Sequence, residues 1–79
     1  MTGYAIKVYM TDGSWGYPRM VGGGFFTLSP DVNDTMFFDT VQEAKDYYYS
    51  HIKGCVNEDT GAAVDSSKCA IVQVSGNCF

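Results

Sequence analysis

Residues 40–54 constrain this chain more than any other stretch, because they alone carry a helical apolar stripe with both ends marked. Thr40 can accept a bond from an amide of the first turn, and Glu43, three residues on, completes a capping box. Val41, Ala44, Tyr48 and Ile52 fall within about 80° of one another at the helical repeat, so they line one face. Gln42, Asp46, Ser50 and Lys53 lie opposite, and Gly54 can end the helix in the left-handed conformation. A lone amphipathic helix must bury its stripe against another element, and the rest of the chain reads as strand.

Residues 4–10 alternate, with Tyr4, Ile6, Val8 and Met10 on one face and Ala5, Lys7 and Tyr9 on the other. Asp12 and Gly13 supply a hairpin signal, so the chain returns antiparallel from Trp15 to Val21. Pro18 has no amide to give a ladder, which predicts that the return strand is an edge or is irregular. Gly22, Gly23 and Gly24 break the pattern as a bend or bulge, residues 25–28 resume it, and Ser29, Pro30 and Asp31 mark a turn. Residues 36–38 read as a further short strand and residues 69–74 as the last one. Residues 55–68 are polar and small, a loop long enough to suggest mobility or a role. The expected fold class is α+β: a small antiparallel β-sheet of three to four strands with one α-helix packed on one face, in the order β-β-β-α-β.

The 79 residues fall within the range of one domain and are too few for two, so 1–79 is read as a single domain. A chain this short buries only about 60% of its unfolded surface, which leaves a thin core and no room for a deep cleft between lobes. Surface functions are favoured for that reason. Hydrophobic residues at 46% and charged residues at 18% place the chain far from the disordered regime. Aromatics at 15% exceed what the core can cover, so part of them should lie outside, where they suit binding.

Nine acids against five bases give a net charge of −4, which disfavours direct nucleic-acid binding and an anionic membrane surface. The first residues lack the basic start and apolar run of a signal peptide, and no apolar stretch approaches the roughly 20 residues of a membrane helix. With three cysteines, an odd number for a secreted disulfide scaffold, the expected location is cytoplasmic.

Reactive chemistry finds few anchors. His51 and Cys55 lie four apart, but a helix C-terminus disfavours a thiolate, so a packed or capping His and an inert Cys are the plainer reading. The glycine run lacks the Lys and Ser/Thr of a phosphate loop, and no helix follows it. Residues 57–61 fail the calcium-loop pattern, and the scattered Cys and His show no zinc spacing. No metal or cofactor is expected. A disulfide between Cys55 and Cys69 would close the long loop and contribute about 3 kcal/mol, though a reducing cytosol disfavours it. Cys78 is a candidate for adventitious cross-linking.

Two surface features stand out. Tyr47, Tyr48 and Tyr49 span about 200° of helix surface, so with Tyr48 inward at least one neighbour should be exposed. Asp31, Asp34, Asp39, Glu43 and Asp46 crowd into a short stretch accompanied only by Lys45. The turn and the helix dipole explain most of these acids, but together they also form an acidic strip bordered by tyrosines.

The segment from Phe25 through Asp31 and Asp34 to Phe38, Asp39, Thr40, Glu43 and Ala44 resembles one found in small uncharacterised proteins of bacteriophages and mobile elements. Some of those are similar in size and acidity to anti-CRISPR and other anti-defence inhibitors. The resemblance implies a phage-encoded accessory protein acting in the cytoplasm of a host cell by covering a surface of a host complex. The functional expectation is therefore a non-catalytic protein-binding module that blocks a host nucleic-acid-handling protein or ribonucleoprotein with a basic groove. Asp31, Asp34, Glu43 and Asp46 would oppose its Arg and Lys, and Trp15, Tyr17, Tyr47 and Tyr49 would anchor the contact. The alternatives are a self-associating structural protein, a homodimer built through the Pro18-bearing edge or the tyrosine face, and a small thiol-dependent enzyme.

Overall fold

The alternation in residues 4–10 does form the first strand of a sheet, and the computed structural model describes residues 2–75. Strand β1 (Thr2–Tyr9) turns through a tight hairpin into β2 (Trp15–Gly22). In that turn the Asp12 carboxylate accepts from both the amide (2.9 Å) and the hydroxyl (2.6 Å) of Ser14. Gly22, Gly23 and Gly24 all take positive φ, a run that L side chains resist, and carry the chain into β3 (Phe25–Ser29). A 3₁₀ turn (Val32–Asp34) leads on to the helix α1 (Val41–Tyr47), then to β4 (Val56–Asn57) and β5 (Ala70–Ser75). The α+β class holds, and among the described residues the sheet has five strands in the order β4-β3-β2-β1-β5.

Several expectations are corrected by tertiary pairing. The sheet is mixed rather than antiparallel, because β4 runs parallel to β3. Residues 55–68 are built rather than a bare loop. Val56 and Glu58 donate to the carbonyls of Gly24 and Phe26, Ala63 bridges Val56, and Val64 bridges Met10 at the end of β1. Residues 36–38 form no strand; Phe38 makes only an isolated bridge, exchanging bonds of 2.9 and 2.8 Å with Tyr4. Pro18 sits in a strand inside the sheet order rather than in an edge strand, and that strand is irregular, its register against β3 shifting between Met20 and Gly22. The β1 ladder ends at Gly16, and beyond it the Pro18 carbonyl accepts from the Thr35 hydroxyl at 2.8 Å.

Helix α1 opens with the expected cap, Glu43 N donating to Thr40 Oγ1 at 3.1 Å. Among the described residues the Glu43 carboxylate makes no return bond, so the capping box is half formed. After Tyr47 the helix widens into a π turn (Tyr48–Ile52), closed by Lys53 N donating to Tyr48 O at 2.9 Å. Gly54 does not take the left-handed conformation, because this wider turn continues through Lys53 with helical φ and ψ.

The helix lies over β1 and β5. Ala44, Tyr48 and Ile52 bury against Ile6, Val8, Met10 and Phe26, each large apolar side chain contributing about 1.5–3 kcal/mol. Val41, expected in the stripe, is instead 38% exposed at the helix start. Gly16 brings β3 close: a Cβ there would stand 2.9 Å from that of Leu28. Cys55 and Cys69 are free thiols, and Cys78 lies outside the described residues.

Candidate functional site

The polar flank of α1 and the segment before it carry Asp39, Glu43, Asp46, Tyr47, Ser50 and His51, linked by steps of three to four residues and so gathered on one flank. With Phe37 and Phe38 they line an open groove of about 470 Å³. Its aromatic wall is continuous: the Tyr47 ring lies 5.3 Å from Phe38 and 4.6 Å from the His51 imidazole, tilted against both. Asp46 accepts from Gln42 Nε2 at 2.9 Å, while Asp39 and Glu43 accept from no described side chain. The ion pair among the described residues is Lys68 with Asp65 at 3.9 Å, so no cation of theirs neutralises the groove.

The other acids show how unusual this is. Asp12 and Asp65 each cap a turn, and the bonds from Ser14 and Ser67 hold their carboxyls below the ordinary range. Asp31 accepts from Asn33 N at 2.9 Å, and Asp34 from the Ser29 hydroxyl at 2.8 Å. These four of the nine acids already serve local structure. Three of the remaining five converge on one groove.

The eight residues expected at the interface therefore fall into separate places. Glu43, Asp46 and Tyr47 share the groove. Asp31 and Asp34 belong to the 3₁₀ turn packed beside β2. Tyr49, 65% exposed, stands on the opposite flank of the helix, with Lys53 Nζ 5.3 Å from its ring centre. There, with Val41, Lys45, Cys69 and Ile71, it lines a second cleft of about 360 Å³ between α1 and β5. Trp15 and Tyr17 meet edge to face at 6.3 Å on the outer surface of the sheet. The sequence placed Asp39 in the acidic strip but not among the interface residues, and it gave no groove role to Phe38 or His51. The four-residue steps from Asp39 to Glu43 and from Tyr47 to His51 were the available signal.

The thiols face the main chain. Cys55 Sγ donates to the His51 carbonyl at 2.8 Å, and Cys69 Sγ accepts from Tyr9 N at 3.4 Å. Tyr48 is the buried member of its triplet, and its hydroxyl has no hydrogen-bond partner among the described residues. Burial, and then the neighbouring Cys69 side chain, push its phenol well above the ordinary 10.0. Among the described residues no three His, Cys, Asp or Glu side chains converge closely enough to hold a metal ion, and no helix is long and apolar enough to cross a membrane.

What the groove can do is attract and orient a cation. Like charges along one flank repel one another, and a guanidinium or ammonium relieves that repulsion while lying against the Tyr47 and Phe38 rings. No protein-family model, curated protein or solved structure matches this chain.

Proposed function

We propose that this chain is a non-catalytic protein-binding module that docks a basic surface of a partner, arginine foremost, into the groove beside α1. The observation that carries the reading is the convergence of Asp39, Glu43 and Asp46, without a cation among the described residues, on an aromatic wall. Arginine suits it better than lysine, since a planar guanidinium can stack on Tyr47 and reach a carboxylate with paired bonds. In its most specific form the module is a phage-encoded inhibitor of the anti-CRISPR type, filling the basic groove of a host nucleic-acid-handling complex. Asp31 and Asp34, held in their turn, are not part of this contact.

The test is capture from host lysate with wild-type bait, with Glu43→Lys/Asp46→Lys, and with Asp31→Asn/Asp34→Asn as the control. The proposal expects one complex retained by wild type and control, released by salt, with affinity down about a hundredfold or more in the groove variant. Equal retention by the groove variant would sink it.

A further inference from the structure

The two edges of the sheet are finished differently. At one, β4 is only two residues long and is bridged on its far side by Ala63. At the other, β5 runs six residues, Ala-Ile-Val-Gln-Val-Ser, with no proline, no charge and no register irregularity against β1. Edges of that length are normally blunted by Pro, Lys or a bulge, because their free amides template another strand.

The register says which amides are free. Tyr4 exchanges both its bonds with Phe38, and the Tyr9 carbonyl accepts from Asp65 N on the opposite side of β1. Neighbouring residues direct their amides to opposite sides, so Gly3, Ala5 and Lys7 face β5. Their partners Val74, Val72 and Ala70 face back. The N–H and C=O groups of Ile71 and Gln73 therefore point outward, and no described residue bonds them. Beside this edge lie the exposed side chains of Val41 and Tyr49, which share the second cleft with Ile71.

We propose that β5 pairs antiparallel with β5 of a second copy of this chain, joining two sheets across a two-fold axis. Centred on Gln73, the pairing bonds Gln73 to Gln73 of the second copy and sets Ile71 opposite its Ser75. A carboxamide both donates and accepts, so the central pair is self-complementary. The strand is uncharged, so two copies each carrying −4 meet where their repulsion is least. The helices then lie on the same face, and Val41 and Tyr49 add apolar surface beside the seam.

The test measures mass in solution by light scattering, and amide exchange residue by residue, for wild type, Gln73→Pro and Gln73→Lys. Wild type is expected to be a dimer in which the Ile71 and Gln73 amides are protected together with those of Ala70, Val72 and Val74. Proline at 73 removes an outward amide without touching the β1 ladder, and lysine sets two like charges face to face. Each variant is expected to be a folded monomer whose Ile71 amide exchanges rapidly. Should Gln73→Pro fail to fold, Gln73→Lys alone decides. A wild-type monomer even at about millimolar concentration, or a dimer that survives Gln73→Lys, overturns the proposal.

Discussion

Two surfaces of this protein expose aromatic rings beside charge, and they are finished in opposite ways. On the outer face of the sheet, Lys7 Nζ lies 4.4 Å from the Trp15 ring centre and 5.3 Å from that of Tyr9. The cation there is already held by its own rings. In the groove beside α1, Tyr47 and Phe38 stand next to three carboxylates, and the nearby helix lysines, Lys45 and Lys53, sit with Tyr49 on the opposite flank. The first surface holds its cation within the chain; the second has three carboxylates with no ion pair from any described residue. Exposed aromatics alone do not mark a docking site. Aromatics beside an unneutralised charge give a partner something to supply.

The largest expected effect separates the two surfaces. Glu43→Lys/Asp46→Lys should abolish partner capture while shifting thermal stability little, since both side chains are exposed. Lys7→Met, on the sheet, should leave capture unchanged. If the two variants weakened capture alike, the contrast between the surfaces would collapse.

Tyr48 sharpens the comparison from inside, because it belongs to neither surface. Tyr48→Phe removes a buried hydroxyl that has no partner among the described residues and should stabilise the fold by about 1 kcal/mol, read by chemical denaturation. The pH dependence has a definite sign. The folded phenol keeps its proton above the ordinary 10.0 while the unfolded one ionises there, so the hydroxyl adds no pH-dependent cost below that pH and a growing one above it. Wild type should therefore weaken above pH 10.0 more steeply than Tyr48→Phe. Parallel curves would place the hydroxyl in contact with solvent.

The smallest effect tests whether the sheet surface is self-satisfied. Lys7→Met keeps the stem, loses the cation, and should cost about 0.5–1 kcal/mol. Trp15 is the only tryptophan, so its emission reports the change directly. An unaltered spectrum would mean that the ammonium does not rest on the ring.

What could be read from the sequence was mostly local. The Asp12 and Gly13 turn and the Thr40 cap depend on bonds within a few residues, the alternation of β1 is written in its own side chains, and each formed. The rest came from distant pairing. Nothing in Val56 and Asn57 announces a strand, because their order comes from Phe25 and Phe26, which they meet in space. Val41 satisfies the helical period but lies where the helix begins to clear the sheet. The crowding of acids was visible, but its division was not: the turn takes Asp31 and Asp34, while the helix turns Glu43 and Asp46 toward Asp39 and Tyr47.

The most direct measurement is an NMR titration of the protein with a short oligo-arginine peptide, followed at every amide and at the aromatic rings. Saturable shifts centred on Asp39, Glu43, Asp46, Tyr47 and His51, lost in Glu43→Lys/Asp46→Lys, are the predicted result. Shifts spread evenly over all the acids, Asp31, Asp34, Glu58 and Asp59 included, would contradict the groove as a docking site and leave only diffuse charge attraction.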